Sequence, residues 1–273
     1  MKPTSGIIGL FKNQKAREVM ARGAIASLLG ALVVACSGCG GGGGGGSTQP
    51  VAAAQSAPPK PVTALWAGDS TSVGYELITG KYVRTGIVGQ DLQADLQAQL
   101  GSTVTVSNAG IAGSSLEQLL AGTDGFPQPY AQFIAASNGN PVVENFGLNE
   151  PASGVTPTQF QQSLIQFVTL TEQAGKKPIL EEPNPACVAG TQDQEIVYAS
   201  GVTMSAYVAV IDQVAQSYNL PLIKQYEQIK AMPNFCALMS DGFEHPSDTL
   251  YAIKAKNQAA VLIPIIKTLQ GTS

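Results

Sequence analysis

Positive charge and histidine are both scarce in this chain. Charged residues make up 12% of its 273 residues, the net charge is −4, and one His is present. After Cys36 the chain carries ten basic and eighteen acidic residues. A body this acidic lacks the electrostatic footprint of a nucleic-acid-binding protein and offers no broad attraction to anionic lipid. With one His and no C-x-x-C pair in residues 61–273, the sequence also predicts neither a metal site nor a cofactor.

The first 35 residues have the pattern of an export signal. A basic region is followed by the apolar run GAIASLLGALVVA, which is too short to span a membrane comfortably. The run ends at Cys36 and resembles a bacterial lipobox, in which the signal is cut before a Cys that is then lipidated. We therefore predict a signal peptide over 1–35, a lipid anchor on Cys36 and an exported protein. It would be an outer-membrane lipoprotein facing the periplasm or the cell surface, and the anchor would be its only membrane contact. Two alternatives stay open: lipidation at Cys39, or an ordinary secretory signal cut nearby.

Residues 36–60 are rich in Gly, Pro and Ala and have almost no large side chains. Such a segment cannot bury enough apolar surface to offset the entropy lost on ordering, so it is expected to be a flexible tether. The remaining residues, 61–273, are enough for one domain with a sizeable core, which we expect to be monomeric.

Within 61–273, short apolar runs alternate with segments of helical periodicity. The runs are VTALWAG, STVTVSNAG, PVVENFG, KKPILEEP and LPLIKQY. The helical segments are VGQDLQADLQAQLG, SSLEQLLAG, TPTQFQQSLIQFVTLTEQAG, TMSAYVAVIDQVAQSYN and a final helix from about Ser247 to Leu269, with a possible kink at Pro264. This alternation predicts an α/β protein, a three-layer α/β/α sandwich with a five-stranded parallel sheet.

Polar blocks follow several of these runs. Because ligands of such folds bind at the carboxyl ends of the strands, these blocks are candidates for a binding or catalytic site. They are Asp69-Ser70 after the first run, Asn108-Ala109-Gly110 after the second, Gly147-Leu148-Asn149-Glu150 after the third, and Asp241 to His245 on a loop before the final helix.

The order of these blocks resembles the SGNH, or GDSL-type, hydrolases over nearly the whole domain, from about 62 to 269. That family has a nucleophilic Ser in a Gly-Asp-Ser block, a Gly after the second strand, an Asn in a Gly-x-Asn block, and an Asp and a His in a late block. The resemblance implies the family's flavodoxin-like fold and ester hydrolysis. The chain has no Gly-x-Ser-x-Gly elbow, which counts against the other large class of α/β hydrolases.

The residue types suit acyl transfer. A Ser hydroxyl needs a base to take its proton, and His is the usual base because its pKa lies near neutrality. The one His of the chain, His245, falls in the late block. The resemblance assigns Ser70 as nucleophile, His245 as general base and Asp241 as the acid that orients it. It assigns the oxyanion hole to the N–H groups of Ser70 and Gly110 and to the amide of Asn149.

Residues next to these assigned positions receive structural roles. We read Asp69 as tying down the turn that carries Ser70, and we expect Ser70 also to begin a helix.

Two positions depart from the family pattern. The acid after Asn149 is Glu150 instead of Asp, in a role that is supporting and not catalytic. Asp241 lies four residues before His245, where the family spacing is three. Either the loop bulges by one residue and still brings Asp241 to the imidazole, or a backbone carbonyl orients a Ser–His dyad. Glu244 is the weaker candidate for the acid.

Cys187 and Cys236 are the remaining cysteines. An exported chain meets an oxidising compartment, so we predict that they form a disulfide; two free buried thiols are the alternative. Such a bridge would staple the loop that carries Asp241 and His245.

The leading functional hypothesis is a serine esterase acting on carboxylic esters of a glycan, a lipid or a small alcohol through an acyl-enzyme at Ser70. Two alternatives remain. One is an O-acyltransferase that uses the same site, and the other is a tethered, non-catalytic binding protein on the same fold.

Overall fold

A computed structural model describes residues 58–272. The predicted signal peptide, Cys36 and nearly all of the predicted tether lie outside the described residues. Among residues 58–272, no helix is both long enough and apolar enough to cross a membrane.

The described part of the chain contains seven strands. In chain order they are β1 Val62–Gly68, β2 Tyr75–Ile78, β3 Lys81–Arg84, β4 Val104–Asn108, β5 Val142–Asn145, β6 Pro178–Glu181 and β7 Leu222–Ile223. Five of them form one sheet in the order β4-β1-β5-β6-β7, and every neighbouring pair is parallel. The other two form a separate antiparallel hairpin, β2–β3. The predicted parallel sheet is thus confirmed, strand by strand.

Eight α-helices accompany the strands over the same residues. They are α1 Ile87–Leu100, α2 Leu116–Ala121, α3 Tyr130–Ala136, α4 Glu150–Ser153, α5 Pro157–Gln173, α6 Met204–Ser217, α7 Tyr226–Lys230 and α8 Asp248–Gln270, with a 3-10 turn at Phe235–Leu238. The predicted final helix continues through Pro264 to Gln270.

The sheet is covered on both faces. Alternate residues of β1 point to opposite sides, as strand geometry requires: Leu65 and Ala67 join one apolar cluster, and Ala64 and Trp66 join another. The first cluster packs under α5 and α6, and the second under α1 and α8. The arrangement is the predicted three-layer α/β/α sandwich, and it places the carboxyl ends of β1, β4 and β5 side by side.

Some expectations about local structure were wrong. The chain after Ser70 does not begin a helix: it makes a tight turn, with the Tyr75 N–H donating to the Ser70 carbonyl at 3.0 Å, and then enters the β2–β3 hairpin. The predicted helical segment TMSAYVAVIDQVAQSYN places Tyr218 on one apolar stripe with Tyr207, Val208, Ile211 and Val214, but Tyr218 follows the end of α6 and is 40% exposed. The other four residues of that stripe are buried.

Candidate active site

The turn after β1 holds Ser70 by means of its neighbours. Asp69 Oδ1 accepts hydrogen bonds from the Thr71 backbone N–H at 2.8 Å and from the Thr71 hydroxyl at 2.9 Å. A Cβ on Gly68 would overlap Ser72 Oγ and lie 2.7 Å from the Asn145 carbonyl, so only Gly permits this close approach. Asp69 therefore has the structural place expected of it, and its burial raises its pKa.

Ser70, His245 and Asp241 form one continuous chain of contacts. Ser70 Oγ lies 3.0 Å from His245 Nε2, and His245 Nδ1 lies 2.7 Å from Asp241 Oδ2. Ser70 is 6% exposed, so little of the residue reaches solvent. This is the geometry that a hydroxyl nucleophile, a base and an orienting acid require.

The four-residue spacing between Asp241 and His245 is accommodated by the other carboxylate oxygen. Asp241 Oδ1 accepts the backbone N–H groups of Phe243, Glu244 and His245 at 2.9, 2.9 and 3.1 Å. The loop is thus wound around the carboxylate, which leaves Oδ2 free to face the imidazole. Of the two sequence-based alternatives for this loop, the structure has the bulged loop and places Asp241, not a backbone carbonyl, against His245.

The surroundings of Asp241 and His245 shift the pKa of each. Burial alone would raise the pKa of Asp241, but the hydrogen bonds from His245 and from the loop N–H groups outweigh it and lower that pKa to about 2. Burial alone would lower the pKa of His245, but the hydrogen bond to Asp241 and the nearby carboxylates raise it above its ordinary value. Glu244, mostly buried beside these groups, has its pKa raised to about 7, chiefly by burial.

Of the three predicted oxyanion residues, Ser70 follows β1, and Gly110 and Asn149 follow β4 and β5. The Gly110 N–H donates to Asn108 Oδ1 at 2.8 Å, and a Cβ on Gly110 would approach the Gly68 carbonyl to 3.0 Å. Close packing against the Ser70 turn therefore explains this Gly, whose N–H is already engaged. Asn149 Nδ2 donates to the Ser114 carbonyl at 3.0 Å, and a second amide hydrogen remains on the same nitrogen.

Glu150 connects the start of α2 to the segment that follows β5. One carboxylate oxygen accepts the Leu116 N–H and the other accepts the Gly147 N–H, both at 2.8 Å. The side chain is fully buried, and burial raises its pKa to about 8. Its contacts fit the supporting role expected of the acid after Asn149.

Two buried residues that the sequence reasoning missed support the late block. Asn184, just beyond the end of β6, donates from Nδ2 to the Glu244 carbonyl at 2.9 Å. Lys254 Nζ donates to Asn184 Oδ1 at 3.2 Å, and both side chains are almost completely buried. The strand-end rule that selected Ser70 and Asn149 also selects Asn184, whereas the position of Lys254 within α8 gives no such signal.

The two cysteines of the domain are joined. Cys187 and Cys236 form a disulfide with a Cα–Cα distance of 5.8 Å. The Cys187 N–H donates to the Phe243 carbonyl at 2.7 Å, so the bridge connects directly to the loop between Asp241 and His245.

An ester hydrolase is the class of protein that this sheet and its strand-end residues define. The family is the GDSL-like lipase/acylhydrolase family: its model matches residues 67–253, and the chain belongs to it. No curated protein matches the chain significantly.

Solved structures share the fold at low sequence identity. The chain is similar to a lipase/acylhydrolase from Enterococcus faecalis, with a TM-score of 0.58 and 20% identity over 77% of this chain and 96% of that one. It is also similar to an acetylxylan esterase from Geobacillus stearothermophilus, with a TM-score of 0.55 and 21% identity over 76% of this chain and 95% of that one. At such identities the likeness concerns the fold alone.

Proposed function

We propose that the protein hydrolyses carboxylic esters through an acyl-enzyme at Ser70, with His245 as the general base. The observation that carries the proposal is the unbroken contact from Asp241 through His245 to Ser70 Oγ. The ester bears its acyl group on a glycan, a lipid or a small alcohol.

The reaction has two halves that use the same imidazole. As Ser70 Oγ attacks the ester carbonyl, His245 Nε2 takes the hydroxyl proton, and it then gives that proton to the departing alkoxide as the C–O bond breaks. In the second half, water takes the place of the Ser70 hydroxyl as the nucleophile. His245 takes a proton from the water, the resulting hydroxide adds to the acyl carbonyl, and the proton returns to Ser70 Oγ as the acid leaves. Asp241 keeps Nδ1 protonated and stabilises the imidazolium that forms in both halves.

The oxyanion of each tetrahedral intermediate requires donors. The second hydrogen of Asn149 Nδ2 and the Ser70 N–H serve in this role. Gly110 can contribute only if its bond to Asn108 is exchanged. Gly113 is a further backbone candidate on the same segment. It has φ +74, open space at its Cβ position, and Ser114 next to it, whose carbonyl holds the Asn149 amide.

The expected location of the protein favours ester substrates outside the cytoplasm. The proposed lipid anchor at Cys36 and the tether would hold the catalytic domain at a membrane surface after export. An acetylated glycan is one substrate class that this location and the likeness to an acetylxylan esterase favour.

Mass spectrometry after treatment with a fluorophosphonate tests the nucleophile. The wild-type protein should gain the adduct at Ser70, Ser70→Ala should gain none, and His245→Ala should react far more slowly. A folded wild-type protein that takes up no label would contradict the proposal and favour a binding protein.

Turnover separates the two enzyme hypotheses. Release of acid from an ester in water alone supports the hydrolase. Slow release that speeds up only when a sugar acceptor is added, with the acyl group appearing on the sugar, would establish an acyltransferase instead.

A further inference from the structure

The β2–β3 hairpin lies against the loop that carries Asp241 and His245. It is inserted directly after the Ser70 turn, and its pairing sets Leu77 opposite Tyr82. Because side chains alternate along a strand, Tyr82 and Val83 point to opposite faces of the hairpin. The ring of Tyr82 approaches the imidazole of His245 edge-on, with 5.1 Å between ring centroids and an interplanar angle of 61°.

The hydroxyl of Tyr82 contacts the catalytic acid itself. Tyr82 Oη donates to Asp241 Oδ2 at 3.2 Å, the same oxygen that faces His245 Nδ1. Burial and the adjacent Asp241 carboxylate raise the pKa of Tyr82 to about 12, so the hydroxyl keeps its proton near neutral pH. One carboxylate oxygen therefore receives two hydrogen bonds, one from the imidazole and one from the hairpin.

The hairpin is fixed to both ends of this loop. The Leu77 N–H donates to Ser240 Oγ at 2.9 Å, directly before Asp241. The Asp248 N–H donates to Glu76 Oε1 at 3.2 Å, just after the loop. Tyr82 is therefore part of a hairpin that is hydrogen-bonded to both ends of the loop, although the residue itself is 47% exposed.

We propose that Tyr82 is a positioning residue of the hydrolysis: its hydroxyl fixes the Asp241 carboxylate in line with His245, and its ring covers the imidazole. The inference rests on the proposed function, because it assigns Tyr82 a task in the Ser70–His245–Asp241 mechanism. It makes the face of the hairpin that bears Tyr82 part of the active site.

The hydroxyl of Tyr82 should have a measurable effect on the pKa of His245. Its proton partly neutralises the carboxylate charge that stabilises the imidazolium, so removing it should raise the pKa of His245 and move the acidic limb of kcat/KM to higher pH. Glu244 on the same loop, Asp69 from the end of β1 and Tyr75 from β2 also face the imidazole. A substitution at Tyr82 leaves all three in place.

The experiment compares Tyr82→Phe, Tyr82→Ala and Val83→Ala in the full chain, with phenyl acetate as the substrate. Tyr82→Phe keeps the ring and should lower kcat/KM by about three- to tenfold, the effect of one ordinary hydrogen bond made by a half-exposed side chain, with its acidic limb at higher pH. Tyr82→Ala also loses the cover over the imidazole and should lose more. Val83→Ala is the matched control, because it truncates the adjacent, similarly exposed residue on the opposite face and should match the wild type.

The outcomes separate this inference from the proposed function. If Tyr82→Phe has the kcat/KM and the acidic limb of the wild type, the inference is overturned. A lower kcat/KM with an unmoved limb, or an equal loss in Val83→Ala, would also overturn it. A general disturbance of the hairpin would then be enough to explain the loss of activity. Failure of the proposed function looks different: the wild type itself would neither take up fluorophosphonate at Ser70 nor hydrolyse the ester.

Discussion

Asn184 Nδ2 lies 2.9 Å from the carbonyl oxygen of Glu244, the residue directly before His245. Glu244 lies between Asp241 and His245, where this chain has a spacing of four residues and the family pattern has three. Its N–H is bound by Asp241 Oδ1 and its carbonyl by Asn184, so both backbone polar groups of that residue are satisfied. The lengthened loop is therefore held from two sides, and it presents the imidazole to Ser70.

Replacing Asn184 by Ala should impair both stability and turnover. The change leaves Lys254 Nζ and the Glu244 carbonyl without this partner in a buried site, which costs about 1–3 kcal/mol of unfolding free energy per unsatisfied group. We expect a lower kcat with a nearly unchanged KM, because the loop misplaces His245 without altering how the ester docks. Urea unfolding and steady-state kinetics measure the two effects.

Asn257→Ala is the matched control for that substitution. Asn257 also makes a side-chain hydrogen bond, to Gln225 Oε1 at 3.0 Å, but it lies on α8 away from the late block. It should retain the wild-type kcat. If Asn184→Ala also retained the wild-type kcat, the idea that Asn184 supports the catalytic loop would have to be abandoned.

The pH dependence of activity follows from the raised pKa of His245. The imidazole must be neutral to accept the Ser70 proton, so the acidic limb of kcat/KM should lie above 6.5, the ordinary value for His. Asp241→Asn removes the charge that stabilises the imidazolium, so the limb of that variant should move to lower pH while kcat falls. A wild-type limb below 6.5 would show that the carboxylates around His245 do not outweigh the effect of its burial in solution.

The same two groups also couple the stability of the fold to pH. The pKa of Asp241 is lowered from 3.8 to about 2 in the folded protein, so its stabilising contribution is present above pH 3.8 and is lost as the pH falls through about 2. The pKa of His245 is raised, so its contribution is full below pH 6.5 and disappears as the pH rises through the folded value. Unfolding free energies of the wild type and Asp241→Asn should therefore converge at the acidic end, and a constant difference would contradict this linkage.

The sequence predicts those parts of the structure that depend on local pattern and strand order. The five parallel strands follow from short apolar runs separated by helical periodicity, and the strand-end rule brings Ser70 and Asn149 to one edge. The β2–β3 hairpin was missed because its two-residue turn, Thr79-Gly80, lacks the usual Asn-Gly signal, although both residues have positive φ.

The contacts of the late block could not be read from the sequence. Whether Asp241 reaches His245 across four residues depends on how its Oδ1 binds three loop N–H groups. The pairing of Asn184 with Lys254 depends on how α8 packs against the end of β6. Both are three-dimensional relationships between residues that no sequence period links.

Loss of the Cys187–Cys236 disulfide should destabilise the protein and slow the reaction. The bridge closes a loop with a sequence separation of 49, for which chain entropy gives about 4 kcal/mol. Turnover should fall as well, because the Cys187 N–H holds the Phe243 carbonyl within the catalytic loop. Thermal unfolding and ester hydrolysis, with and without dithiothreitol, measure both effects.

The cysteine double variant, Cys187→Ala with Cys236→Ala, controls for any effect of the reductant itself. It should match the reduced wild type and show no further response to dithiothreitol. Alkylation of both thiols in the native, unreduced protein would contradict the bridge in solution.

Replacing Asn149 by Ala tests the oxyanion hole. Removing one such donor costs about 10²–10³ in kcat, because the interaction is strongest in the transition state, and KM should change little. Asn149→Ala also breaks the hydrogen bond to the Ser114 carbonyl, so the unfolding free energy must be measured alongside. Ser114→Ala keeps that carbonyl and removes only the hydroxyl, which bonds to the Ile111 carbonyl within the same segment, and it should retain most of the wild-type kcat. If Asn149→Ala were as active as Ser114→Ala, the oxyanion would have to be stabilised by backbone N–H groups alone, with Ser70 and Gly113 as the remaining donors.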